Sequence, residues 1–345
     1  MTIEVPVLRL GLAGFTEAQQ KIAAEAARAA ATARASWEVV PFAEADAWWL
    51  EGSRSLVMQN QHLRVQPAVP SGRSVQIALA DVDRPVAFTL PITAPGFRPA
   101  VTFHLADGRA AVDVLHQFAG WLGTMLSQFA LASSVSDHQP TLGSGSWEVL
   151  RGSDLLGVVD LKLGAAVMPG ATPADFAGAS WCIRNHGAVA IPPNYARTSV
   201  SQLMWQYAQR TQRDLLPPHY RTQPLYFRRP PRLPQAQLKD THLLLMRELA
   251  TQPAMTFVDL QQSTGLGDAA LARCLSALYV VGAVTANPKR ASGAAVRPSG
   301  KGDSLPSRQS AFPSITDTTP PTAEAMKRLM DMTAPLPLMP ELGKH

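Results

Sequence analysis

The stretch TGLGDAALARCLSALYVVGAV (residues 264–284) sets a tight Gly-x-Gly turn ahead of an apolar helix and a glycine behind it. Between Gly267 and Gly282, Leu271, Cys274, Leu275, Leu278 and Val281 recur at spacings of three and four, which puts them on one stripe of a helix. GAVTAN (282–287) then reads as a short strand. Upstream, DTHLLLMRELAT (240–251) is an amphipathic helix, and MTFVDLQQSTG (255–265) is a shorter one that ends at Gly265. The segment 240–287 is therefore a small helical module of three helices and one strand.

That order resembles winged helix-turn-helix domains, at the level of pattern and without a diagnostic signature. The resemblance implies that the third helix enters a DNA major groove and touches bases and phosphates with its early exposed residues. Here those residues are Asp268, Ala269, Ala272 and Arg273. Phosphate repels Asp268, and the two alanines offer no polar readout. Arg273 is the one cation, whereas base readout and phosphate affinity draw on several Arg, Lys, Asn or Gln side chains. The residues favour a helix that packs the module and meets another protein. Lys289 and Arg290, just past the strand, keep DNA contact open.

Ahead of this module, PPHYRTQPLYFRRPPRLPQAQLK (217–239) holds six prolines and reads as an extended, semi-rigid linker. From Arg210 to Arg247 the chain carries eight cations against Asp214 and Asp240, interleaved with Tyr207, Tyr220, Tyr226 and Phe227. Arginine beside aromatic residues clamps phosphate and stacks on bases. Arg221, Arg228, Arg229 and Arg232 are thus candidates for binding phosphate, a nucleotide or nucleic acid. The other reading is a connector whose arginines pair with acids of the flanking modules.

Residues 1–132 alternate strands and helices in the manner of an α/β module. Strands are expected at 7–15, 37–42, 55–58, 74–79, 85–91 and 100–105, and helices at 16–35, 43–52 and 110–132. The alternation resembles response-regulator receiver domains. That resemblance implies an acidic pair after the first strand, an Asp ending the third and a Lys on the last. The first strand instead ends in Ala13-Gly14-Phe15, SLVMQN (55–60) offers no Asp, and the late strands hold no Lys. A receiver-like module here lacks the phosphorylation residues.

After a polar boundary at 133–145, residues 146–216 read as an α+β middle module, with antiparallel strands over 146–170 and an amphipathic helix at 199–216. Trp205 and Tyr207 lie two apart on that helix and point to different sides, so one of them is expected to mark a protein-docking surface. From 288 to 345 the chain is rich in Ser, Thr, Pro and Gly and is expected to be a disordered tail, with a short amphipathic piece at 322–332.

The 345 residues are 46% hydrophobic and 17% charged, with a net charge of +5 and a pI near 9.4, the balance of a globular chain with a mild preference for acidic partners. Cys182 and Cys274 stand far apart, so neither a disulfide framework nor a zinc site is expected. The eight histidines show no ligand spacing, and dinucleotide, Walker and nucleophile-elbow motifs are absent. No cofactor, metal or membrane partner is expected. The reading that results is a bacterial, cytoplasmic, non-enzymatic regulatory adaptor acting through protein–protein contacts. A DNA-binding regulator using the winged helix and basic linker is one alternative, and an enzyme with an unrecognised site is another.

Overall fold

Alternate positions of β1 (Val7–Ala13) bury Leu8 and Leu10, and Gly14 at φ +85° turns the chain out of the strand. Thr16 then starts α1 (Glu17–Ala29) with a capping box: its hydroxyl accepts from the Gln19 N–H, and the Gln19 side chain accepts from the Thr16 N–H. β2 (Ser36–Val40) and β3 (Ala47–Glu51) lie parallel to β1 on its two sides. This description covers residues 4–292 of a computed structural model, apart from 59–61, 70, 71, 95, 140, 144, 186–189 and 253. The expected 322–332 piece and the tail from 293 onward lie outside the described residues.

β3 corrects the expectation of a helix at 43–52. Phe42–Glu44 and Gly52–Arg54 coil only as single 3-10 turns at its two ends, and Ala47, Trp49 and Leu50 form a central strand buried on both faces. A strand covered on both sides is a continuous apolar run, which over five residues cannot be told from a helical turn by periodicity.

β4 (Ser55–Val57), β5 (His62–Val65) and β6 (Val75–Ala78) form a separate antiparallel sheet. β7 (Val86–Thr89) and β8 (Thr102–Phe103) complete the parallel sheet, in the order β2-β1-β3-β7-β8. α2 (Gly108–Trp121), capped by Asp107, joins α1 over the face carrying Leu8, Leu10 and Trp49. The opposite face, with Ala13, Leu50 and Phe88, packs against Leu63, Val65 and Ile77 of the small sheet.

The single helix expected at 110–132 is two. The chain breaks at Leu122, between Gly120 and Gly123, and α3 (Gly123–His138) continues through much of the expected boundary. α3 leaves the parallel sheet and gives Phe129, Leu131 and Val135 to a second core. Its serines are tolerated there because they are small and bonded: Ser134 Oγ accepts from Trp181 Nε1 at 3.2 Å.

That second core lies on an antiparallel sheet of β9 (Ser146–Arg151), β10 (Asp154–Asp160), β11 (Gly164–Val167), β12 (Ser180–Ile183) and β13 (Ala196–Thr198), ordered β12-β9-β10-β11-β13. α4 (Pro173–Ala177) and α5 (Val200–Arg210) cover it together with α3. A third core joins α6 (Asp240–Thr251), α7 (Phe257–Thr264) and α8 (Asp268–Val280). The linker takes part in it: β14 (Tyr226–Phe227) pairs with β15 (Val284–Thr285), and the Leu225 N–H donates to Met255 O at 2.7 Å. Pro224 and Pro230 flank this ladder without interrupting it, as prolines at strand ends do.

α5 corrects the expectation of a docking surface. Trp205 and Tyr207 do point to different sides, but both sides are covered. Trp205, 3% exposed, enters the third core with its ring tilted against that of His242, while Tyr207, 0% exposed, enters the second core against Phe129. The helix end is held by charge. Arg210 Nη2 donates to Asp46 Oδ1 at 2.6 Å, with both groups largely buried. The Glu4 carboxylate accepts from Tyr207 Oη at 2.8 Å, Ser133 Oγ at 3.3 Å, Thr211 Oγ1 and the Gln212 N–H, and pairs with Arg213 Nε at 3.0 Å. Burial and the neighbouring Glu4 charge push the Tyr207 phenol up to about 12, so it keeps the proton it donates.

Removing Glu4 takes the acceptor from Tyr207 Oη, Ser133 Oγ, Thr211 Oγ1 and the Gln212 N–H and leaves Arg213 its second carboxylate, Asp137. Glu4→Ala is therefore expected to cost about 2 kcal/mol, read as a lower urea midpoint at unchanged slope. His242 adds a pH dependence. Its Nδ1 accepts from the Lys239 N–H, and burial followed by the Lys239 charge lowers it from 6.5 to about 4. The unfolded chain therefore binds this proton at a pH where the folded one does not. Stability is expected to fall by up to about 3 kcal/mol as pH drops from 6.5 towards 4. Urea titrations at pH 7, 6 and 5 should show a shallower fall for His242→Leu, which has no ring to protonate.

Candidate anion-binding cleft

Arg228 and Arg229 leave β14 together. The Arg228 N–H donates to Ala283 O at 2.8 Å, which fixes the pair beside the end of α8. There Gly282 turns at φ +69°, and a Cβ added to it would lie 3.4 Å from Arg228 Nη1 and 3.5 Å from Arg229 Nη2. Arg290 arrives from the other direction on a 3-10 turn, Pro288–Arg290, that Asn287 caps by accepting from the Lys289 N–H at 3.0 Å.

The three arginines line one cleft of about 650 Å³. Its other walls are α3, the first turn of α5 at Val200 and Ser201, the β10–β11 turn at Leu161, and the end of α8. Among the described residues no Asp or Glu lines it. Among the described residues none of the three arginines has an ion-pair partner. The C-terminal carbonyls of α8 offset part of this charge, as cations at a helix end are favourable, and the N-terminal turn of α5 adds partial positive charge from its first amides. A cleft of this size with three cations and no acid attracts an anion.

The remaining candidates fall elsewhere. Arg221 is already satisfied: it pairs with Asp214 at 3.0 Å and Asp268 at 3.5 Å and lies 5.3 Å over the Phe257 ring, in keeping with the connector reading. Arg232 and Lys289 are exposed and line none of the clefts described here. Arg273, with Asp268, Ala269 and Ala272, lines a separate cleft of about 400 Å³ whose other wall is α5 and Glu38 of β2. Ala272 and Ser276 are buried. Asp268, Ala269 and Arg273 stay exposed at the rim of this cleft, so the start of α8 is covered by its own chain only in part.

Glu51 escaped the sequence reading, because 43–52 was expected as a helix. It ends β3 with its carboxylate accepting from Thr89 Oγ1 at 2.8 Å, Ser53 Oγ at 2.9 Å and Gln19 Nε2 at 3.1 Å. At 5% exposure it is closed off, and Gly14 is packed so tightly that an added Cβ would lie 2.9 Å from the Glu51 Cβ. β1 ends beside it in Ala13-Gly14-Phe15, and β8 is Thr102-Phe103, so these strand ends bring Glu51 neither an acidic pair nor a lysine. The arrangement is a sealed hydrogen-bond cluster.

Compared with known proteins, the chain matches no family model, no curated protein and no solved structure. Among the described residues no helix is long and apolar enough to cross a membrane.

Because Arg229 is exposed and faces like charge, Arg229→Ala is expected to leave stability within about 0.5 kcal/mol of the parent, or to raise it. A thermal melt in low-salt buffer checks this. A clear loss of stability would make the residue a structural strut.

Proposed function

We propose that this chain is a non-enzymatic regulatory adaptor of the bacterial cytoplasm, in which an anionic group docks on Arg228, Arg229 and Arg290. The observation that carries the reading is the cleft in which, among the described residues, three arginines meet no acid and have no ion-pair partner. Its aliphatic wall comes from α3 and α5, and its cationic wall from the β14–β15 region, so an anion between them ties the two regions together. Bound and free forms would then differ in how firmly these regions hold, and partner proteins would read that difference.

The parallel order β2-β1-β3-β7-β8 supports the receiver-like reading of the first module, with strands in the 2-1-3-4-5 sequence of doubly wound sheets. Three helices followed by β15, with β14 paired to it, support the winged-helix-like reading of the last. Both are readings of topology and carry no activity by themselves. The placement of Asp268, Ala269, Ala272 and Arg273 against α5 and β2 favours a packing role for α8 over DNA readout.

Calorimetric titration with pyrophosphate, at constant ionic strength held by chloride, tests the reading. Saturable binding is expected, weakened at least tenfold by combined Arg228→Ala and Arg229→Ala, with Arg232→Ala and Arg273→Ala near the parent. No saturable binding by the parent chain would refute the anion site. For the DNA alternative, mixed-sequence duplex is expected to shift weakly, with retention lost uniformly as salt rises. Retention at physiological salt that depends on Arg273 would overturn the adaptor reading.

A further inference from the structure

The chemistry of the cleft beyond its arginines narrows the ligand. Its floor is aliphatic: Val135, Leu142, Met204, Leu215, Val280 and Val281. The uncharged polar side chains are few, Ser136, Gln139 and Ser201 beside the hydroxyl of Tyr279, and Tyr279 is the one aromatic ring. A nucleotide site places carboxylates or amides on ribose hydroxyls and base edges and stacks the base on rings. This lining has no carboxylate and one ring. An inorganic anion, in turn, would leave most of the floor unused.

The apolar track also runs outward. Leu161, 44% exposed, lines the cleft from the β10–β11 turn, and two residues on, Leu163 is 89% exposed. Single exposed leucines are ordinary, but Leu161 belongs to the aliphatic lining of the cleft itself. Three cations and an aliphatic lining in one cleft match a molecule with one anionic head and one hydrocarbon chain. The volume, about 650 Å³, falls within the range of about 300–1,000 Å³ of small-molecule sites.

We infer that the ligand of this cleft is a single-chain anionic amphiphile, its phosphate or carboxylate head on Arg228, Arg229 and Arg290 and its alkyl chain along the α3–α5 floor towards Leu161. The inference rests on the anion-site reading above and adds the chain. Each buried methylene strengthens binding about fourfold. Affinity should therefore climb with chain length, while the head fixes the site.

The test titrates the full chain with inorganic phosphate and with hexyl, octyl and decyl phosphate, each kept below its micelle-forming concentration. The expected result is a ladder in which decyl phosphate binds at least tenfold tighter than hexyl phosphate. Combined Arg228→Ala and Arg229→Ala should weaken every rung. Leu161→Asn, at a half-exposed turn where folding is unaffected, should weaken decyl phosphate several-fold and leave phosphate unchanged. Phosphate binding as tight as decyl phosphate would overturn the amphiphile and leave the anion site standing. A ladder that survives loss of both arginines would also overturn it, as unspecific uptake of the chain. Binding by none of the four would remove the amphiphile and the anion site together.

Discussion

Everything from the parallel sheet to the C-terminal helices turns on α5 having no free side. Its eleven residues put Trp205 into one core and Tyr207 into another, and its end is tied to the first module by Asp46 and Glu4. A helix so placed cannot shift without breaking apolar packing and buried ion pairs at once. Packed interiors respond to displacement by switching or unfolding, not by gradual deformation. The three cores are in this sense one structure, and all the described residues fall in a single compact unit.

The buried charges show what kind of constraint this is. Arg210–Asp46 and the Glu4 carboxylate are largely taken out of water, while Arg213 keeps a third of its side chain exposed; the cost of burial is recovered through close geometry and extra donors. Glu4 gathers hydroxyl, amide and guanidinium donors from α3 and from the end of α5, so its carboxylate orients segments that are about 130 to 210 residues away in sequence. Such pairs add little net stability beyond an apolar equivalent, but they penalise every other register of α5 on the sheet.

The same packing decides where function can lie. The start of α8 lies beside α5 and β2 with Ala272 and Ser276 buried, while Asp268, Ala269 and Arg273 remain exposed. The end of β3, where an α/β sheet commonly opens a ligand crevice, is sealed around Glu51. A larger cleft opens at the other end of α8, where Gly282 lets Arg228 and Arg229 come close and Arg290 joins them in the lining. Arginines that meet no acid there keep their charge available.

Local patterns were enough to place most elements: α1 from Thr16 and its alanine run, α6 to α8 from apolar spacing and the glycines 265 and 282, and the β9–β10–β11 meander from its turns. They misread 43–52, since a short strand buried on both faces has no period. They joined α2 to α3, since glycines 120 and 123 break a helix only when the two halves have different sheets to cover. Of the site, the sequence marked Arg228 and Arg229 as linker cations near aromatic residues and Arg290 as a cation just past the strand, and it marked Arg221, Arg232, Arg273 and Lys289 as candidates beside them. Charge and spacing are properties of the chain and can be read along it. Whether an arginine meets an acid, as Arg221 meets Asp214 and Asp268, or lines an acid-free cleft is settled by residues far away in sequence, and only the tertiary fold brings those together.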